Sequence, residues 1–185
     1  MSVKNCFLRL PPVVGTLLFL CACPYESEFP LSKCSEAVID KQLIGQWRLE
    51  PKDGEEGGII TIYQFNDHEY LISARGEDEV TEMVMRAFGT SIEGQTFLNV
   101  QTINKPAEQK RPWHLVHYSL PENKLVYNVV EDDLFKEKQF TSSTELYTFV
   151  KKNLKRKELY DQDGERTLTK IFQQPDAHGT SSLSS

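Results

Sequence analysis

Short runs in which apolar and polar side chains alternate fill the middle of the chain, and they restrict its fold more than any other feature. In one such run Ile60 and Ile62 alternate with Thr61 and Tyr63. Successive side chains of a β-strand point to opposite faces of a sheet, so this alternation is typical of a strand with one buried face. Similar runs recur about every ten residues, the last over 167–172, and this spacing predicts an antiparallel sandwich or barrel.

Turn-forming residues separate these runs. The pairs Asn66-Asp67 and Glu93-Gly94 and the triplet Pro121-Glu122-Asn123 each stand between two neighbouring runs, and Asp53-Gly54 precedes the first of them. Glycine and asparagine tolerate the positive φ angles of tight turns, and connections this short join antiparallel neighbours. We therefore expect a mainly β fold, a small antiparallel β-barrel.

One late segment follows a helical pattern instead. Ser142 and Glu145 have the spacing of a capping box, in which each side chain satisfies a free backbone N–H at the start of a helix. Apolar side chains then fall on one helical face, at Leu146, Phe149, Val150 and Leu154. The sequence predicts one late α-helix from about Ser143 to Leu154. We expect it to pack on the barrel through the first three of these side chains, along the wall or across one mouth.

Composition divides the 185 residues into four parts. Residues 1–22 have a basic start and end in a short apolar run, which predicts a cleaved signal peptide because roughly 20 apolar residues are needed to span a bilayer. Residues 23–40 are rich in proline, serine and glutamate, which indicates a flexible tether. The barrel domain is expected over 41–172, and the serine-rich residues 173–185 are expected to be disordered.

The end of the apolar run carries the most specific motif. Leu20-Cys21-Ala22-Cys23 resembles the bacterial lipobox, in which an apolar, a variable and a small residue precede a cysteine. The resemblance implies that diacylglyceryl is added to the sulfur of Cys23, that the signal is cleaved before Cys23, and that a membrane of the cell envelope is a partner. Pro24 stands where aspartate would imply the inner membrane, so by resemblance to enterobacterial sorting the outer membrane, facing the periplasm, is favoured in a Gram-negative host.

An ordinary secreted protein, cut near Ala22, is the alternative. Cys23 would then be free to pair with Cys34 in an oxidising compartment. Under lipidation Cys34 is the only free thiol of the mature chain, because Cys6 and Cys21 leave with the signal.

The charge of the chain argues against one class of partner. The formal net charge is −6, and loss of Lys4 and Arg9 with the signal makes it −8. An acidic chain repels phosphate backbones, so we expect no nucleic acid partner. The basic run 151–157 is either a solvated helix end or a patch that holds the domain against anionic head groups.

A second resemblance begins where the first strand is expected. Leu43-x-Gly45-x-Trp47 looks like the G-x-W motif of lipocalins, and the order of strands with a late helix is similar to that of small lipocalin-like lipoproteins of bacteria. The resemblance implies that Trp47 closes one end of the barrel under a stacked cation, for which Arg166 and Lys170 are the candidates. We predict that Trp47 is a structural plug and not a ligand contact.

The candidate ligand site is the barrel interior. An aromatic set would either line an apolar cavity or fill a small barrel, and we favour filling, because barrels of about eight strands need side chains inside. The members of the set are Tyr63, Phe65, Tyr70, Phe88, Phe97, Tyr118 and Tyr127.

Other chemistry-bearing residues form no recognisable constellation. His114 and His117 are three apart, so on a strand they point to opposite faces and cannot easily share a metal ion. His68 lies beside a turn and is expected to be exposed, and Asp132-Asp133 lack the spacing of a calcium loop. We therefore predict no metal site, no cofactor and no catalytic residue.

Two functions remain as expectations. The first is a non-enzymatic binding module for a lipid or other apolar ligand. The alternative is a structural or adaptor lipoprotein, whose filled barrel binds envelope proteins through its outer surface.

Overall fold

The computed structural model describes residues 24–51, 57–77, 81–161 and 164–172. Within these ranges eight antiparallel strands form a closed barrel, in which each strand pairs with the next and the last pairs with the first. The strands are β1 (Gly45–Leu49), β2 (Gly58–Gln64), β3 (Tyr70–Gly76), β4 (Met83–Ile92), β5 (Gln95–Thr102), β6 (His114–Ser119), β7 (Lys124–Val129) and β8 (Arg166–Phe172). The mainly β class, the antiparallel barrel and the late helix are confirmed. The expected signal, the tail 173–185, Cys23 and the Asp53-Gly54 turn lie outside the described residues.

The hairpin turns form where the sequence places them. Glu93 and Gly94 join β4 to β5 with φ angles of 51° and 83°. Glu122 and Asn123, with φ angles of 49° and 62°, join β6 to β7. Residues with positive φ are the ones that short hairpins require, and they set the register of both pairs.

Alternate residues of each strand fill the barrel, as the period-two pattern predicts. Ile62 on β2 pairs with Gly45 on one side and with Ile72 on the other. It shares one buried core with Trp47 and Leu98. The inner core therefore consists of apolar side chains contributed by all eight strands.

Residues 24–40 do not form the flexible tether that we predicted. The backbone N–H of Tyr25 donates to the carbonyl of Val130 at 2.9 Å, and Ser27 and Trp113 exchange backbone hydrogen bonds of 2.9 and 2.8 Å. Leu31 is 1% exposed. Apolar residues that are interspersed among the prolines, serines and glutamates of this segment pack on the barrel. The segment is therefore part of the folded domain.

The helix α1 (Ser143–Asn153) begins at the predicted cap. The backbone N–H of Glu145 donates to Oγ of Ser142 at 3.3 Å, and Oε2 of Glu145 accepts from the backbone N–H of Thr141 at 2.9 Å. Leu146 and Val150 are fully buried, in a second core on the outer surface of the barrel. That outer core includes Phe97 of β5, Leu115 of β6 and the N-terminal Leu31. The helix therefore lies along the wall of the barrel.

Candidate functional site: the barrel interior and the groove at its mouth

Residues 38–44 cross the end of the barrel at which β1 begins, and we call this end the capped mouth. The backbone N–H of Asp40 donates to the hydroxyl of Tyr70 at 2.6 Å. Ile39 and Ile44 pack against the inner core. The cap thus closes the barrel with both an apolar layer and a specific hydrogen bond.

Trp47 lies under this cap, as the lipocalin resemblance implies. The ring is 1% exposed, and its Nε1 donates to the carbonyl of Leu43 at 2.8 Å. Nζ of Lys170 lies 4.8 Å from the ring centroid and donates to the carbonyl of Gln42 at 2.7 Å. Of the two candidate cations, Lys170 is therefore the one stacked on the tryptophan. Burial lowers the pKa of Lys170, and Asp40 opposes that shift.

The aromatic set divides into three groups. Tyr70, Tyr118 and Tyr127 belong to the inner core. Burial raises the pKa of Tyr70 to about 12 and raises the pKa of Tyr118 further, so both are neutral phenols at physiological pH. These three are the only members of the set in the inner core.

The remaining four aromatic residues were wrongly placed in the interior. Phe88 packs outside the barrel, edge-on to Trp113 at 5.4 Å, and Phe97 lies in the outer core under α1. Tyr63 is 43% exposed and Phe65 is 66% exposed. For three of them the cause is the alternation of the strands: Ile62, Ala87 and Leu98 point inward, so their immediate neighbours point outward. Phe65 follows the end of β2.

The inner core leaves little room for a ligand. The space among its side chains amounts to about 60 Å³, whereas pockets for small molecules start at about 300 Å³. The described residues around this space are all aliphatic, a methionine or a tyrosine, and they are Ile60, Ile62, Ile72, Met85, Leu98, Val100, Val116, Tyr118, Leu125, Tyr127, Val129 and Leu168. The interior is filled, as we favoured from the sequence.

A larger space of about 850 Å³ opens at the surface beside the capped mouth, and we call it the mouth groove. Its floor is the end of β4 with Thr96 and Tyr118, and its two walls are residues from the segment 31–40 and the first turns of α1. The wall residues are Leu31, Ser32, Lys33, Glu36, Val38, Ile39 and Asp40 on one side and Ser143, Thr144 and Tyr147 on the other. The sequence did not indicate this groove, because a wall of it is the segment that we expected to be a tether.

The floor of the mouth groove exposes a strand edge. Pairing between β3 and β4 stops at Tyr70 and Ala87, yet β4 continues to Ile92. The residues flanking a two-residue hairpin turn form a hydrogen-bonded pair, so Ile92 and alternate residues before it bond to β5. Gly89 and Ser91 therefore direct their backbone N–H and C=O groups toward the groove. Among the described ranges no strand pairs with them.

The remaining candidates sort into structural roles. His68 is half-buried, not exposed as predicted, because its Nδ1 shares a hydrogen bond of 2.7 Å with the carbonyl of Ala37. Asp132 and Asp133 both pair with Lys136. Burial raises the pKa of the half-buried Cys34 thiol, and Glu69 adds to the rise, which disfavours a reactive thiolate.

The basic run continues α1 into a short 3₁₀ turn, and part of it is paired. Lys151 contacts Glu93 at 3.3 Å, and Arg156 contacts Glu158 at 3.5 Å. In the part of the chain that the structure describes, no three histidine, cysteine or acidic side chains gather to hold a metal ion. None of the described helices is long and apolar enough to cross a membrane.

In comparisons with known proteins, no protein-family model, no curated protein and no solved structure matches the chain. The closed eight-stranded barrel is compatible with a lipocalin-like fold.

Proposed function

We propose that the protein is a lipoprotein of the bacterial cell envelope, anchored through Cys23, and that its barrel is a non-enzymatic adaptor that binds an envelope protein in the mouth groove. The observation that carries this proposal is the contrast between the two spaces. The interior offers about 60 Å³ and the groove about 850 Å³. A filled barrel leaves only its outer surface for binding, which favours the adaptor over the apolar-ligand carrier.

The groove suits an extended segment of a partner chain. Unpaired backbone groups of Gly89 and Ser91 can accept one further strand, and main-chain hydrogen bonds of this kind are a common mode of peptide recognition. The walls carry two acidic side chains, Glu36 and Asp40, and one basic side chain, Lys33. A partner segment that carries a lysine or arginine would therefore complement the charge of the groove.

The anchor would hold the barrel close to the bilayer. Pro24, which directly follows Cys23, forms a β-bridge with Glu131, and Tyr25 bonds to Val130. An acyl group on Cys23 would therefore emerge at the surface of the folded domain. An outer-membrane site facing the periplasm is the expected location in a Gram-negative host.

Partner binding is tested by disturbing one exposed wall residue. Val38 is 83% exposed and lines the groove. In cells of the host, chemical cross-linking of the wild type should yield a discrete adduct with one protein, and Val38→Glu should abolish it. Phe65→Glu is the matched control, because Phe65 is an equally apolar, 66% exposed side chain that does not line the groove. Equal adducts from both variants would refute the groove as the binding site.

Lipidation is tested separately by metabolic labelling with a palmitate analogue. Cys23→Ser should remove the label and Cys21→Ser should keep it, since the lipobox cysteine is the acylated one. Label that persists in Cys23→Ser would show that the anchor is elsewhere.

The apolar-ligand function retains one supporting observation, the wholly apolar lining of the inner space. Native mass spectrometry of the protein purified from its own host distinguishes the two functions. A copurifying lipid would favour the carrier, and its absence together with a bound protein would favour the adaptor.

A further inference from the structure

Tyr118 borders both spaces of the barrel, the inner space and the mouth groove. The side chain is only 6% exposed. Its hydroxyl forms no hydrogen bond with the described residues, yet it keeps contact with solvent. The lining of the inner space is wholly apolar, so this hydroxyl faces the groove and not the interior. A nearly buried polar group without a partner is costly, and here a ligand in the groove is able to reach it.

The way to this hydroxyl runs past the free edge of β4. Gly89 and Ser91 follow Ala87 at even intervals, so they lie on the inward-facing side of the strand. A Cβ atom built at Gly89 would have the carbonyl oxygen of Val38 as its nearest described neighbour, at 3.9 Å. The glycine therefore leaves open the approach from the edge of β4 to Tyr118.

Asp40 supplies the charge of this part of the groove. Burial is the main cause of the raised pKa of Tyr118, and Tyr70 and the nearby carboxylate of Asp40 raise it further. The other two charged residues of the described lining, Lys33 and Glu36, pair with each other at 4.0 Å. The charge that a ligand meets beside Tyr118 is therefore negative.

The carboxylate of Asp40 has acceptor sites to spare. Its Oδ1 accepts from the backbone N–H of Gln42 at 2.9 Å, and a carboxylate offers about four acceptor positions. Asp40 also opposes the lowering of the pKa of Lys170, but Nζ of Lys170 donates to the carbonyl of Gln42 at 2.7 Å. Among the described residues no cation forms an ion pair with Asp40.

We infer that the segment bound in the mouth groove inserts a lysine side chain, whose ammonium group donates to the hydroxyl of Tyr118 and to the carboxylate of Asp40. The inference rests on the proposed adaptor function and adds the chemistry that selects the partner. Main-chain hydrogen bonds along the edge of β4 hold any extended segment, whereas the pocket for one side chain discriminates among segments. A thin, unbranched stem with a compact charge suits the approach past Gly89.

The test is calorimetric titration of the full chain with two blocked pentapeptides. Both have valine and threonine around a central residue, which is lysine in one and norleucine in the other. Norleucine has an unbranched apolar stem without the ammonium group. We expect the lysine peptide to bind about tenfold more tightly, because it forms charge-assisted hydrogen bonds that norleucine lacks. Added salt should reduce this advantage.

Two conservative variants separate the subsite from general packing. Tyr118→Phe keeps the ring in the inner core and removes only the hydroxyl, and Asp40→Asn keeps an acceptor for the N–H of Gln42 and removes the charge. Each should weaken the lysine peptide by about tenfold and leave the norleucine peptide unchanged, whereas a damaged groove would weaken both. Glu122→Gln, an exposed change outside the groove, is the control.

No binding of the lysine peptide, equal affinity for the two peptides, or an unchanged affinity for the lysine peptide in either variant would overturn the inference. Cross-linking in cells distinguishes this failure from failure of the adaptor function. If Val38→Glu abolishes the adduct while Tyr118→Phe and Asp40→Asn keep it, the groove binds its partner without the lysine subsite. If the wild type gives no adduct, the adaptor function is refuted and this inference with it.

Discussion

At the scale of single residues, Trp47 joins three parts of the chain at the capped mouth. Its indole N–H bonds to Leu43 in the cap, its ring fills the inner core, and Lys170 of β8 covers its outer face. Lys170 is itself fixed by the carbonyl of Gln42. The side chain therefore ties β1 and β8 to the cap, and its position is explained without any ligand.

Trp47→Ala should lower the free energy of unfolding by about 3–5 kcal/mol, because it leaves a large cavity and frees the carbonyl of Leu43. Thermal melting followed by circular dichroism measures the loss. Trp47→Phe retains much of the packing and should cost less, and Ile171→Ala, at a 43% exposed position of β8, should cost little. Unchanged melting of Trp47→Ala with a lost binding activity would show that the residue is a ligand contact.

At the scale of elements, what could be predicted depends on how local the determining contacts are. The strands and the α1 cap follow from neighbouring residues: the alternation around Ile62, the turn at Glu93-Gly94, and the pair Ser142 and Glu145. The prediction of a flexible N-terminal tether was wrong because the burial of that segment depends on partners that are distant in the sequence. Leu31, for example, bonds to Asn99, which is 68 positions away in the sequence.

The same dependence on distant contacts explains why the candidate site was only partly predicted. Alternation shows that one face of β4 and β5 is apolar, but in this fold both faces are buried, the inner one by the barrel and the outer one by α1 and the N-terminal segment. Aromatic character alone therefore could not decide whether Phe88 and Phe97 point inward. The mouth groove could not be predicted from local patterns either, because it forms where β4 continues past the end of its pairing with β3.

The N-terminal segment should depend on one buried side chain. Asn99 is fully buried, accepts from the backbone N–H of Leu31 at 2.6 Å, and donates to Phe88 and Thr90. Asn99→Ala leaves these groups unpaired and should cost about 1–3 kcal/mol. Hydrogen exchange at the Leu31 amide should be faster in Asn99→Ala than in Ser32→Ala, because the second change removes only the hydroxyl hydrogen bond to Thr90. Equal protection in the two variants would contradict this role for Asn99.

The helix should act as part of the wall and not as a lid. Phe149 is half-buried and packs against Phe135 and Phe140, with ring centroids 5.1 and 5.3 Å away. Phe149→Ala should therefore destabilise the fold, by up to about 3 kcal/mol because the ring is only partly buried, without opening the interior to an apolar dye. Lys152→Ala, on the exposed face, is the control. New dye binding, or fast amide exchange along 146–152 in the intact protein, would contradict the docked wall helix.

At the scale of the whole molecule, the barrel wall separates the inner core from apolar clusters on its outer face. The inner core contains Trp47, Met85 and Leu98, and the outer core holds α1 and the N-terminal segment against β5 and β6. Because burial of apolar surface stabilises each layer, the barrel needs no ligand to complete it. The proposed binding in the mouth groove therefore does not depend on a ligand in the interior.

The filled, apolar interior leads to a prediction about the molecule as a whole. Met85 is 1% exposed and borders the remaining inner space of about 60 Å³. Met85→Ala should cost about 2–5 kcal/mol and should enlarge that space into an apolar cavity able to hold xenon or benzene. Benzene should then raise the melting temperature of the variant and leave that of the wild type unchanged, because only the variant has a site for it. Met83→Ala changes the same type of side chain at a half-buried position of β4. It should cost less stability, and benzene should stabilise it less. Uptake of benzene by the wild type would mean that the interior opens readily, and the balance would return to a carrier of apolar molecules.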